Sequence, residues 1–161
     1  MIRMRILTPT LLLAAVVASV GCSTGPISAT SAHLTRYQRE GRERVGEQVL
    51  EVDLATGRTA MADASGNVYP SQLPPNQAEA WRDAIASRDW NVSSIKPESK
   101  ATGVRYYQLT VFDGDARVGR VVTWAVPPAQ PLPETLDLFT QTFDRFDRMA
   151  NPVSGDVNLL E

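Results

Sequence analysis

The sequence predicts an α+β fold: an antiparallel four-stranded sheet packed on two helices, in the order strand, strand, helix, strand, strand, helix. Two observations carry that expectation. Alternating apolar segments come in two pairs, each joined by a short polar turn, and each pair is followed by a proline-led stretch of helical period. In the first pair, Leu34 to Glu40 and Val45 to Leu54 are joined through Gly41-Arg42-Glu43-Arg44, and Leu50, Val52 and Leu54 share one face. Thr59 to Ala62 either extends the second strand or adds a short one before a turn at Asp63 to Asn67. Leu73-Pro74-Pro75 then opens a helix with Ala78, Trp81, Ala84 and Ile85 on one side, because proline is tolerated in a first helical turn. Asn91 to Gly103, with Pro97, Glu98, Ser99 and Lys100, reads as an exposed loop.

The second pair is the clearest sheet signal. Val104 to Phe112 and Val118 to Val126 are rich in β-branched and aromatic residues and flank Asp113-Gly114-Asp115-Ala116, a hairpin turn. Tyr107, Leu109 and Val111 are expected inward, with Tyr106, Gln108, Thr110 and Phe112 partly outward. Prolines 127, 128, 131 and 133 end the sheet and launch a helix over Glu134 to Ala150. Leu136, Phe139, Phe143, Phe146 and Met149 form its apolar stripe. Glu134 and Asp137 near its start and Arg145 and Arg148 near its end suit the helix dipole. The phenylalanines are expected to be core.

Composition narrows the function classes. The chain of 161 residues carries a formal charge of −2, and removing residues 1 to 21 would take away Arg3 and Arg5 and leave a more acidic domain. Nucleic acid is a poor partner for such a balance. A domain of this length buries one adequate core without disulfides, which suits a chain whose only cysteine is Cys22.

That cysteine lies where a secretion signal ends. Arg3 and Arg5 precede an apolar run from Leu11 to Val20, and Ser19-Val20-Gly21-Cys22 places small residues before the thiol. The pattern resembles the lipobox of bacterial lipoproteins, although Ser19 stands where that motif most often has Leu. The resemblance implies a signal peptide over 1–21, lipidation of the Cys22 sulfur, and a membrane-anchored protein of the cell envelope, periplasmic or at the cell surface. Residues 22–32, small and polar, read as a flexible tether of roughly 15 to 20 Å reach, followed by one domain over 33–150 and a tail over 151–161.

The search for chemistry predicts no catalytic residue, no metal site and no cofactor. A Ser-His-Asp set needs a histidine near a nucleophile, and the one histidine, His33, sits beside the tether. Asp113 and Asp115 offer two carboxylates, but Trp124 stands at the twelfth position where a calcium loop needs an acid, so turn chemistry explains them. Asp137, Asp144 and Asp147 lie off the Phe stripe beside Arg145 and Arg148 and are expected on a solvated face. Arg36, Arg39, Arg42 and Arg44 are expected to guard an exposed strand edge, with contact to anionic headgroups as the alternative.

The order of elements, LTRYQREG (Leu34 to Gly41), the Leu73-Pro74-Pro75 helix entry, Tyr107-Gln108-Leu109-Thr110-Val111 and the proline-led last helix resemble emfourin-type inhibitors of bacterial metallopeptidases. Arg42 stands where that family usually has a second glycine. The residues leave two readings. One is a non-catalytic envelope lipoprotein that binds another protein or the wall. The other, implied by the resemblance, is a tethered peptidase inhibitor whose loop Gly41, Arg42, Glu43, Arg44, continuing to Gly46, enters an active-site cleft. A rigid exposed loop favours the second, and a broad apolar patch favours the first.

Overall fold

The computed structural model describes residues 28–150, so Cys22, the expected signal peptide and the tail after Ala150 lie outside the described residues. The class is α+β as expected, but the sheet has six strands. They are β1 (Ser31–Glu40), β2 (Glu43–Asp53), β3 (Arg58–Ala62), β4 (Val68–Gln72), β5 (Arg105–Asp113) and β6 (Ala116–Val126). All neighbours pair antiparallel in the order β4-β3-β2-β1-β5-β6. The helices are α1 (Pro75–Ser87) and α2 (Glu134–Ala150).

The unforeseen strand is β4, and its sequence explains why. Val68-Tyr69-Pro70-Ser71-Gln72 is short, exposed along most of its length and interrupted by proline. Such a segment is stable only at a sheet edge, where a missing backbone N–H breaks no ladder. The turn before it is fixed by Asp63, whose Oδ1 accepts the N–H groups of Ser65 and Asn67, both at 2.9 Å. β3 alternates in burial, with Thr59 and Met61 inward, so it is a strand in its own right.

β1 also begins earlier than the tether boundary allowed. Ser31 and Ala32 belong to the sheet, and Ala32 is fully buried between Val52 and Val111. An alanine packed between two such partners is core, although its composition reads as linker. β2 begins at Glu43, which shortens the first connection to Gly41-Arg42.

The two helices cover one face. Ala78, Trp81, Ala84 and Ile85 of α1 are buried, as are Leu136, Phe139, Phe143 and Phe146 of α2. Tyr107, Leu109 and Val111 point into the same layer. Met149 departs from the expected stripe at 61% exposure. It sits beside Tyr69 and Pro70 at the β4 edge, where the sheet ends. Three tryptophans, 81, 90 and 124, are fully buried, and each indole N–H finds an acceptor: Thr142 Oγ1 at 3.1 Å, the Ile85 carbonyl at 2.9 Å and Thr140 Oγ1 at 2.9 Å. Both threonine hydroxyls donate in turn to carbonyls one turn back in α2. Donor and acceptor are thus matched inside the core, where an unpaired indole N–H would cost about 1 to 3 kcal/mol.

Candidate functional site

Because β1 pairs with β5 only as far as Tyr37, and β2 pairs with β3 only from Val49 onward, residues 38–48 leave the sheet as a two-stranded ribbon. Its end is a two-residue turn in which Gly41 takes positive φ (63°), the glycine-first pattern of type II′ hairpins. At its base the register shifts: Arg36 faces Gln48 and Gln38 faces Val45, so Tyr37 alone opposes Gly46 and Glu47. Gly46 sits at φ 62° and completes a glycine bulge, which sharpens the local twist.

β1 and β2 are interior strands, but residues 38–48 pair only with each other, so Arg39, Arg42 and Arg44 stand on a ribbon with open outer edges, as expected, whereas Arg36 lies within the paired sheet. Strand alternation puts Arg39 and Arg44, directly opposite each other, on the face away from the helices together with Tyr37 and Tyr106. The Arg44 guanidinium lies 4.2 Å from the Tyr37 ring centroid, the Tyr106 ring stacks on Tyr37 at 5.5 Å and 13°, and Arg39 lies 4.8 Å from the Tyr106 ring. Arg44 also donates to Gln108 Oε1 at 2.7 Å and lies 3.8 Å from Glu47. Tyr37 is 1% exposed, yet among the described residues its hydroxyl has no hydrogen-bond partner.

Arg36 faces the other way and joins α2 to the sheet. Its Nη2 is 2.7 Å from Asp147 Oδ2 and its Nη1 is 3.4 Å from Asp144 Oδ1. It also bonds Gln48, which itself donates to Asp147 at 2.9 Å. Arg105 lies 3.4 Å from Asp144, and the Tyr107 hydroxyl donates to Asp144 at 2.7 Å. Burial, and then the bond to Asp144 and that carboxylate's charge, push the Tyr107 phenol far above its ordinary value. Asp144 and Asp147 therefore do not lie on a freely solvated face as expected, although Asp137 does. Two cations against two carboxylates leave this cluster neutral, and its geometry is that of a clamp.

His33 lies in β1. Its ring is 4.7 Å from Phe112 and its Nε2 is 4.0 Å from Glu51, along a shallow trough of about 580 Å³ on the open face. Thr30, Ser31 and Thr59 also line that trough, and Thr30 Oγ1 accepts the Gly114 N–H at 2.8 Å. Asp113 ends β5, and Asp115 lies in the turn that leads to β6.

Of the expected binding loop, Gly41, Arg42, Glu43 and Arg44 all lie at the exposed end of the ribbon. Sequence reasoning missed Tyr37, Arg39 and Tyr106 as parts of the same surface. The available signal was period two: Tyr37 and Arg39 share a face in any strand reading, and Tyr106 was already expected outward. Set against known proteins by sequence, the chain matches no family model and no curated protein.

Proposed function

We propose that the chain is a membrane-anchored envelope lipoprotein whose domain works by binding, without catalysis, and engages a partner protein through the end of the β1–β2 hairpin. The observation that carries this reading is the ribbon itself: a narrow, exposed turn braced from below by a bulge and two arginine–tyrosine contacts. Bracing lowers the ordering entropy that a flexible loop would lose on binding. β1 starts at Ser31 and its ten residues span about 30 Å, so the ribbon stands at the far end of that strand from the first described residues.

The tethered peptidase inhibitor is the more specific form of this reading, because a rigid, exposed turn is what the ribbon presents and a thin preorganised turn is a shape that fits an enzyme cleft.

The test uses the full chain in its native envelope with a photo-crosslinking residue at position 42 or, as control, at position 115 in the opposite hairpin. A discrete adduct from 42 and none from 115 is expected. Equal labelling from both positions refutes the hairpin reading. Mass spectrometry of the mature amino terminus checks the anchor, with a lipid-modified Cys22 expected; an unmodified Cys22 refutes it. Adding the purified protein to secreted metallopeptidases separates the two readings, since saturable inhibition lost on altering Arg42 or Glu43 selects the inhibitor.

A further inference from the structure

The two faces of the ribbon differ in charge. Arg39 and Arg44 oppose each other on the face that bears Tyr37 and Tyr106, while alternation turns the next opposed pair, Glu40 and Glu43, toward the other side. Like charges directly opposite in a strand pair are unfavourable. Here the arginines are nonetheless held against tyrosine rings, which fixes where their guanidinium groups stand. Among the described residues Arg39 has no carboxylate partner, Arg44 has only Glu47 at 3.8 Å, and the buried Tyr37 hydroxyl has no partner. This face thus carries more donors and positive charge than its acceptors, Gln108 Oε1 and Glu47, can match. The group that would satisfy it is an oxyanion.

We infer that the Arg39–Arg44 face is a carboxylate-recognition surface, and that its occupant is an acidic segment of the partner protein. This rests on the reading that the hairpin is the binding element and adds the chemistry of what it meets. A guanidinium fork matches a carboxylate in geometry as well as charge. A flat anionic surface, such as a bilayer, could meet only one face of the ribbon and would leave the Glu40–Glu43 face without a partner. A cleft can instead set an acidic wall against one face of the ribbon and a neutral or basic wall against the other. The two-signed ribbon therefore fits a polypeptide groove.

The probe is a capped hexaglutamate peptide, titrated at low salt into the full-length protein in detergent micelles, with NMR following the Arg39 and Arg44 Nε–H and the Tyr37 and Tyr106 backbone signals. Saturable shifts confined to this face are expected, weakened at least about tenfold in the R39Q/R44Q double variant and within about twofold of wild type in E40Q/E43Q. An unchanged melting temperature in R39Q/R44Q establishes that the loss is local. Absence of saturable shifts, equal binding by R39Q/R44Q, or inorganic phosphate producing the same shifts at the same concentration overturns the inference. Crosslinking from position 42 keeps the two claims apart: an adduct that persists undiminished in R39Q/R44Q cells leaves the hairpin reading standing and removes the carboxylate surface, whereas no adduct in the wild type removes the hairpin reading itself.

Discussion

The two long hairpins of this sheet are built from the same backbone device and put to different uses. Each closes on a two-residue turn with glycine first, Gly41-Arg42 and Gly114-Asp115, and each carries a second glycine of positive φ at a register shift, Gly46 and Gly119. In the β5–β6 hairpin these features are tied into the body of the protein. The Gly114 N–H donates to Thr30 Oγ1 at 2.8 Å, the Arg120 N–H to Asn91 at 3.3 Å, and the space beside Gly119 is filled by Trp90. In the β1–β2 hairpin Gly46, the counterpart of Gly119, has nothing within 4 Å of where a side chain would begin, as is also true of both turn glycines, Gly41 and Gly114. The bulge of one hairpin is packed and that of the other is open, so a binding surface is more reasonably sought on the second.

The comparison is sharpest at the two bulge glycines. A Cβ on Gly119 would stand 2.8 Å from Trp90 Cη2, on an indole that is fully buried and pinned to the Ile85 carbonyl. G119A therefore combines overpacking with left-handed strain and should cost about 3 kcal/mol, roughly 10 °C in Tm. G46A meets only the strain, about 1 kcal/mol. Thermal melts of the two variants check the ranking, and a G46A protein as damaged as G119A would mean that the first hairpin is packed after all.

Next in size is the contrast between arginines on the two faces of β1. Arg36 is 15% exposed and sits between Asp144 and Asp147, so Arg36→Met leaves two half-buried carboxylates facing each other with less compensation. Breaking a fully buried pair costs about 3 to 5 kcal/mol; at this exposure about 2 kcal/mol is expected in urea unfolding. A loss below about 0.5 kcal/mol would show that the cluster does not clamp α2 to the sheet.

Tyr107 tests the same clamp from β5. Tyr107→Phe removes a hydrogen bond to a charged acceptor and should cost about 1.5 kcal/mol at neutral pH. The phenol's raised value sets the sign of the pH dependence. Its stabilising contribution is complete below the ordinary tyrosine value of 10 and is lost as pH rises beyond it. The gap between wild type and Y107F should accordingly narrow from pH 7 to pH 11. A gap that stays constant would place the Tyr107 hydroxyl outside this coupling.

How far such features are legible in sequence depends on whether local pattern or partnership decides them. The helices and the β5–β6 hairpin were readable because period and turn residues act locally: the Leu136, Phe139, Phe143 and Phe146 stripe is buried as its spacing predicts. β4 was not readable, since Val68 to Gln72 becomes a strand only through pairing with β3. Asp144 and Asp147 were misassigned for a related reason. Their helical neighbours Arg145 and Arg148 were visible in sequence, whereas Arg36, more than a hundred residues away, was brought to them by the fold. The candidate surface lies between these extremes. Its loop was foreseen at this place, although the turn itself is only Gly41-Arg42 because Glu43 and Arg44 already belong to β2, and the pairing of Tyr37 with Tyr106 depends on β1 lying beside β5, a non-sequential neighbour.

The smallest expected effect is the most telling about presentation. Replacing Arg39 by Gln removes its contact with the Tyr106 ring, worth about 0.5 to 1 kcal/mol at an exposed site. The same change relieves repulsion from Arg44 directly across the strand pair, a term of a few tenths of a kcal/mol of opposite sign. Folding stability should therefore fall by about 0.5 kcal/mol, and by slightly more at high salt, where the repulsion that the change relieves is already screened. Arg36→Met, three residues earlier in the same strand, is expected to lose about four times that amount. Chemical unfolding of both variants at low and at high salt makes the comparison directly. If Arg39→Gln proves as costly as Arg36→Met, Arg39 is a structural group, and the ribbon's outer face would hold the fold together instead of offering itself to a partner.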